Sequence, residues 1–204
     1  VHIVSVGGEC KELLLVLAGK VSVPSVDSGS LENGVRVYCV DIMPKAEADG
    51  EYKRSEFCYT IGGAADNPPT LNPQPSTLNS QLSTLNSQFL FEPNASIMKA
   101  GCFAELSQAY GVEAIGPNSH LFVSSGRVEQ FPGRKFAIEA VCTLNKRQLK
   151  QTLGTLKQAN IAVRNFPMSV AELRKRLKLR DGGDTYIFAT TTMEGEHVLI
   201  ICRK

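Results

Sequence analysis

The sequence has no tryptophan and only three histidines, and its longest apolar run, Leu13 to Ala18, is six residues. A helix that crosses a bilayer needs about 20 apolar residues, so none is written here. The histidines His2, His120 and His197 lie far apart, and none of the six cysteines stands in a CxxC pair, which removes the usual sequence signs of a zinc site. Gly7-Gly8 falls between two strand-like runs, not between a strand and a helix, so it fails the test for a dinucleotide-binding loop. From Thr70 to Phe89 there is no charged residue at all.

That uncharged stretch, TLNPQPSTLNSQLSTLNSQF, repeats every seven residues. Leu71, Leu78 and Leu85 share a heptad position, as in a coiled coil. Ser, Thr and Asn compete with the backbone for hydrogen bonds, Pro73 and Pro75 break the first turn, and two heptads are too short to be stable alone. Codons exist that spell the seven residues Thr-Leu-Asn-Ser-Gln-Leu-Ser as ACTCTCA three times over. The repeat is therefore read as an expanded DNA microsatellite in a low-complexity loop, residues 64–88. Gene codons unrelated to ACTCTCA would sink that reading.

The remainder has ordinary globular composition, with 43% hydrophobic and 21% charged residues. Cys10, Cys39, Cys58, Cys102, Cys142 and Cys202 sit mostly in apolar segments, which predicts reduced, buried thiols and a cytoplasmic location. The chain opens directly on a strand-like run, which predicts a piece cut from a longer protein. Net charge is +2, but it is unevenly placed. Residues 134–204 carry 14 Lys and Arg against 6 Asp and Glu, a balance of +8, while residues 1–133 balance at −6. Such asymmetry points to a polyanion-binding C-terminal part.

Val1–Val6 and Lys11–Ala18 predict a hairpin turned at Gly7-Gly8. VRVYCVDIM (35–43) and FCYTIG (57–62) predict further strands. Residues 92–111 predict one helix, N-capped by Asn94 and stopped by Gly111. VEAI and HLFVSS predict short strands about the turn GPNS. From Arg134 the order is β-α-β-α-β-β, a small α/β layer domain. Its first helix is capped by Asn145, with Leu149, Leu153 and Leu156 inward. Its second begins at a Ser169–Glu172 capping box, turns Val170, Leu173 and Leu177 inward and ends at Gly182-Gly183. A final hairpin turns at Glu194-Gly195.

Three stretches carry a family resemblance. SVGGECKELLLVL resembles the last hairpin of a bacterial class I S-adenosylmethionine-dependent methyltransferase domain. FEPNASIMKAG through PNSHLF and FPGR resembles the ferredoxin-like segment that follows it in one bacterial family. ANIAVRNFPMSVAELRKRLKLRDGGDTYIFATTT resembles that family's THUMP-like domain. The resemblance implies the end strands of a Rossmann-like methyltransferase sheet (1–63), the repeat loop (64–88), a ferredoxin-like segment (89–133) and a THUMP-like domain (134–204). THUMP domains deliver RNA, usually tRNA, to an attached modifying domain. The cofactor-binding loop and the catalytic residues of such a methyltransferase are missing, so the chain is expected to bind no S-adenosylmethionine and to transfer no methyl group alone. The implied partners are RNA, with tRNA as the expected class, and the upstream methyltransferase domain of the same protein; self-association through the first strands is a further expectation.

The residues expected to touch RNA phosphates are Lys146, Arg147, Lys150, Lys157, Arg164, Arg174, Lys175, Arg176, Lys178 and Arg180. A solvated helix face with cations near its C-terminus is the plainer reading of the same run. Phe166 and Tyr186 are the nearest aromatics, and with so few, recognition of shape or of a duplex suits the chain better than stacking of single strands. RDGGD (180–184) reads as a helix stop or as a backbone nest for phosphate. His120 reads as structural, with a catalytic or RNA-contacting role as its alternative. The function expected is substrate delivery within an RNA methyltransferase. The alternative is an assembly module of a methyltransferase with a non-RNA substrate.

Overall fold

A computed structural model describes residues 1–7, 9–14, 35–44, 52–61 and 88–204. The seven-residue repeat, apart from its last two residues, and the run 15–18 of the expected second strand lie outside the described residues. Two compact units are present, each with its own sheet.

The first unit holds strands β1 (His2–Val6), β2 (Glu9–Leu14), β3 (Val35–Pro44) and β4 (Tyr52–Ile61) in the order β2-β1-β3-β4. β1 and β2 form the expected antiparallel hairpin, while β1 runs parallel to β3. HIVSV alternates, and Ile3 and Ser5 point inward as period two requires. The buried Ser5 hydroxyl donates to the buried Asp41 carboxylate at 2.5 Å, so neither polar group is left unpaired. Helix α1 (Ala95–Ala100) packs on β1, β2 and β3.

The single helix expected over 92–111 is two helices. Glu92 and Pro93 finish strand β5 (Phe89–Pro93) instead. Asn94 does cap α1, its side chain accepting from Ile97 N–H. Gly101 then adopts the left-handed conformation (φ 70°) and ends the helix, and α2 (Phe103–Tyr110) starts afresh. Gly111 stops the second helix at φ 61°. A mid-segment glycine was the overlooked terminator.

The second unit is built on a seven-stranded sheet, with β6 (Glu113–Ala114), β7 (Phe122–Ser124), β8 (Gly133–Thr143), β9 (Asn160–Arg164), β10 (Thr185–Thr191) and β11 (His197–Arg203) joining β5 in the order β6-β7-β5-β8-β11-β10-β9. Helices α3 (Lys146–Leu153) and α4 (Val170–Leu177) complete the β-α-β-α-β-β order from β8 onward. β9 and β10 are parallel neighbours, joined through α4. HVLIICR is buried through its middle because β11 is central and covered on both faces. Leu199 and Ile201 meet Leu153, Leu173 and Leu179 on the helix side. Val198, Ile200 and Cys202 meet Leu90, Ile115, Leu121, Phe136 and Phe188 on the other. There the β6–β7 segment folds against the far end of the sheet: Met193 N–H donates to Ile115 C=O, and a Cβ on Gly116 would lie 2.1 Å from Thr191 C=O. Only glycine permits that approach.

Three smaller expectations need correction. Val170 is exposed, since it occupies the first turn of α4 while Leu173 and Leu177 pack inward. α4 is ended by Lys178 (φ 56°), whose N–H bonds back to the Arg174 and Lys175 carbonyls, not by Gly182-Gly183. Cys58 is exposed on β4, whereas Cys39, Cys102, Cys142 and Cys202 are buried free thiols. Burial pushes the Cys202 thiol up to about 12 and raises that of Cys142 as well.

Candidate nucleic-acid interface

The helix-covered face of the seven-stranded sheet carries most of the cations picked out in the sequence. Asn145 starts α3 by accepting from Arg147 N–H, which projects Lys146, Arg147 and Lys150 outward while Leu153 is buried. α4 starts at the expected capping box. Ser169 Oγ accepts from Glu172 N–H, and the Glu172 carboxylate accepts from Ser169 N–H at 2.8 Å and Oγ at 2.7 Å. Those two bonds hold the Glu172 carboxyl below its ordinary range. With Leu173 inward, Lys175, Arg176, Lys178 and Arg180 point to solvent. Lys157 is exposed in the loop before β9, and its carbonyl accepts from Arg180 N–H. That bond and the Gln158–Arg180 bridge bring the cations of the two helix ends beside one another.

Two of the ten are differently placed. Arg174 is only 25% exposed; it donates to the Ala159 carbonyl at 3.2 Å and pairs with Asp181 at 2.7 Å, which ties α4 to the residue before β9 and to the following loop. Arg164 turns to the opposite face of the sheet, where it meets Glu92 at 2.6 Å.

Glu92 is the centre of the second charged site. Its side chain is 4% exposed and pairs with Arg164 on one oxygen and with Arg134 on the other, Arg134 Nε lying at 2.7 Å. Residues 42 and 72 positions away supply the two guanidiniums. Arg134 also lies over the Phe136 ring, 5.6 Å from its centroid. Next to Arg164 in the parallel register stands Thr190, fully buried. Thr190 Oγ1 and Arg164 Nε are both buried without a hydrogen-bond partner, a state that costs about 1–3 kcal/mol for each group. His120 adjoins this site. Burial and then the Arg164 charge lower its pKa, which favours the neutral imidazole. His120 also has positive φ (52°).

Arg134, Glu92 and Thr190 escaped the sequence reading. No local pattern joins them, since a lone Glu before Pro and a lone Arg after Gly mark nothing until β5 and β8 pair in register at Glu92 and Arg134. Tyr186 packs at 4.9 Å on Phe136, and Phe166 meets His197 edge-on at 5.4 Å, so both aromatics make core contacts. A cavity of about 280 Å³ lies at the start of β10, at the other end of that strand from Thr190, lined by Gly183, Asp184, Tyr186, Arg203 and Lys204. Gly182 and Gly183 beside it have φ of 98° and 84°. No described helix is long and apolar enough to cross a membrane.

Residues 133–204 match the family model of the THUMP domain-like family, and residues 89–132 match that of a ferredoxin-like domain. A solved structure described as that of a "putative methyltransferase" from Porphyromonas gingivalis W83 matches all of this chain with 27% identity and a TM-score of 0.69. The chain spans 45% of that protein's length. No curated protein matches.

Proposed function

We propose that the chain is the RNA-binding, substrate-delivery part of an S-adenosylmethionine-dependent RNA methyltransferase. The observation that carries this is the convergence of eight solvent-facing cations, Lys146, Arg147, Lys150, Lys157, Lys175, Arg176, Lys178 and Arg180, on one face of the part that matches the THUMP domain-like family. The likeness over the whole chain to the P. gingivalis protein described as a "putative methyltransferase" supports a link to methyl transfer. In this reading β1 to β4 are the end strands of the methyltransferase sheet, and the cofactor and the catalytic residues belong to the upstream domain of the same protein. The helix face grips the phosphate backbone, tRNA being the expected class, and presents a base to that domain. Phosphate contacts position the strand, so affinity depends steeply on salt. A paired target base has to be flipped out to reach the chemistry.

The test is fluorescence anisotropy of this chain with total tRNA across a salt series, beside the fourfold change Lys175, Arg176, Lys178 and Arg180 to Ala. Arg174 stays, because its bonds to Ala159 and Asp181 hold the fold. Steep loss of binding with log salt in the wild type, and a slope reduced by about 4 in the variant, is the expected result. No binding at low salt would remove the RNA reading in favour of an assembly module with a protein partner.

A further inference from the structure

The helix face accounts for eight of the cations and leaves the Arg134–Glu92–Arg164 cluster without a task. Two guanidiniums share one carboxylate there, so one positive charge is uncompensated. The Glu92 carboxylate lies beneath, while the arginine side chains above it are 51% and 37% exposed and open to solvent. Arg164 spends Nη2 on Glu92, and its Nη1 reaches only its neighbour's Val163 carbonyl at 3.4 Å. Its Nε–H and the Thr190 hydroxyl remain as unpartnered donors on the same side of adjacent strands.

The location is equally suggestive. Arg164 is the last residue of β9 and Thr190 the last but one of β10, and these two strands are the parallel pair. Two loops border this end, and three of their non-glycine residues have positive φ: Asn118 (57°), His120 (52°) and Asn165 (49°). Asn165 Nδ2 ties the loops by donating to Pro117 C=O at 2.7 Å. Backbone strain of this kind concentrates where a fold holds side chains for a ligand.

We propose that Arg134, Arg164 and Thr190 form a second anion subsite that takes one phosphodiester group of the bound RNA strand. The inference rests on the RNA-binding reading above. A phosphodiester carries one negative charge, which matches the single uncompensated charge of the cluster; its oxygens accept first from the solvent-facing parts of the two guanidiniums, and the buried Arg164 Nε–H and Thr190 hydroxyl are uncovered as the arginines turn onto the ligand. Glu92 prevents the two arginines from repelling one another while the subsite is empty and orients both guanidiniums toward the ligand. RNA is then held at two places, the helix face by its backbone and the strand ends by one phosphate.

The experiment uses the full chain with two probes, a short RNA oligonucleotide and inorganic phosphate. Wild type, Thr190→Val and Arg134→Gln are compared by anisotropy, by the imidazole NMR signal of His120 and by thermal melting. Thr190→Val keeps the shape and removes a buried hydroxyl that has no partner, so its Tm is expected to hold or rise. RNA affinity is expected to fall about tenfold in each variant, in line with the loss of one charge-assisted hydrogen bond. In Arg134→Gln the salt slope is expected to fall by about 1. RNA and phosphate are both expected to move the wild-type His120 signal. Folded variants that bind RNA as the wild type does would overturn the subsite and leave the helix-face reading standing. A wild type that binds no RNA would overturn both; a His120 shift with phosphate alone would reassign the cluster to a free phosphate ion. A lower Tm in Thr190→Val with unchanged RNA affinity would make the hydroxyl part of the fold and overturn the proposal.

Discussion

The two faces of the seven-stranded sheet handle positive charge in opposite ways. On the helix side, cations come from neighbouring positions of two short helices and stand in solvent. On the other side, two arginines from different strands converge on one buried carboxylate. Exposed cations add long-range attraction at little cost to stability, since a solvated ammonium keeps its water. Paired and half-buried guanidiniums are fixed in direction, so they choose a geometry as well as a sign. A charge count locates the first kind of site and passes over the second.

Perturbing the two faces should therefore give different results. The largest expected effect is in the core they share. Phe188→Ala, opposite the helices, should cost about 3–5 kcal/mol in urea unfolding, and Leu173→Ala beneath α4 about 2–5 kcal/mol. Comparable losses would show that both faces stabilise one sheet; a much smaller loss at Phe188 would mean that the second face is loosely packed. Glu92→Gln comes next, at about 2 kcal/mol, because it leaves two guanidiniums facing each other; their partial exposure keeps the cost below that of breaking a fully buried pair. A Tm equal to wild type would remove the carboxylate's role as the clasp.

Ser169→Ala is expected to cost about 1 kcal/mol through loss of the α4 cap. The same change should return the Glu172 carboxyl toward its ordinary range, which side-chain NMR titration reads directly. The smallest effect is one of pH. His120 has a folded pKa below its ordinary value, so the unfolded chain binds more protons as pH falls through the histidine range. Stability should be complete above about pH 6.5 and decline as pH falls through that range toward the lowered folded value. His120→Asn, which tolerates the left-handed backbone, should flatten that part of a Tm-against-pH curve. An unchanged curve would place the titrating group elsewhere.

Much of the second unit was legible in the sequence because its signals are local. Asn145, the Ser169–Glu172 box and the Gly195 turn (φ 82°) lie where the expected helices and hairpin need them. The first unit was readable as strands, and β1–β2 as a hairpin, but the parallel pairing of β1 with β3 carries no local mark. The split of 92–111 turned on Gly101, whose left-handed φ a periodic apolar pattern does not reveal. Cys39 and Cys102 are a further case. Their sulfurs lie 4.0 Å apart across 63 positions of sequence, and the hydrogen bond between them lowers the Cys39 pKa while raising that of Cys102. Nothing in the spacing of six dispersed cysteines announces such a pair.

The helix and strand order from β8 onward and the exposed positive charge of α3 and α4 follow from local amino-acid patterns alone. Caps, periodicity and charge runs act over a few residues, so they are complete in any window that contains them. Which cations stay in solvent and which are held depends on how distant strands and helices pack. Arg164 and Arg174 look like their neighbours in the chain, yet one is turned to Glu92 and the other to Ala159 and Asp181. A carboxylate buried between two arginines exists only after β5, β8 and β9 have been brought to the same face. Its stability depends on excluding water from Glu92, which the whole sheet does and no segment does alone.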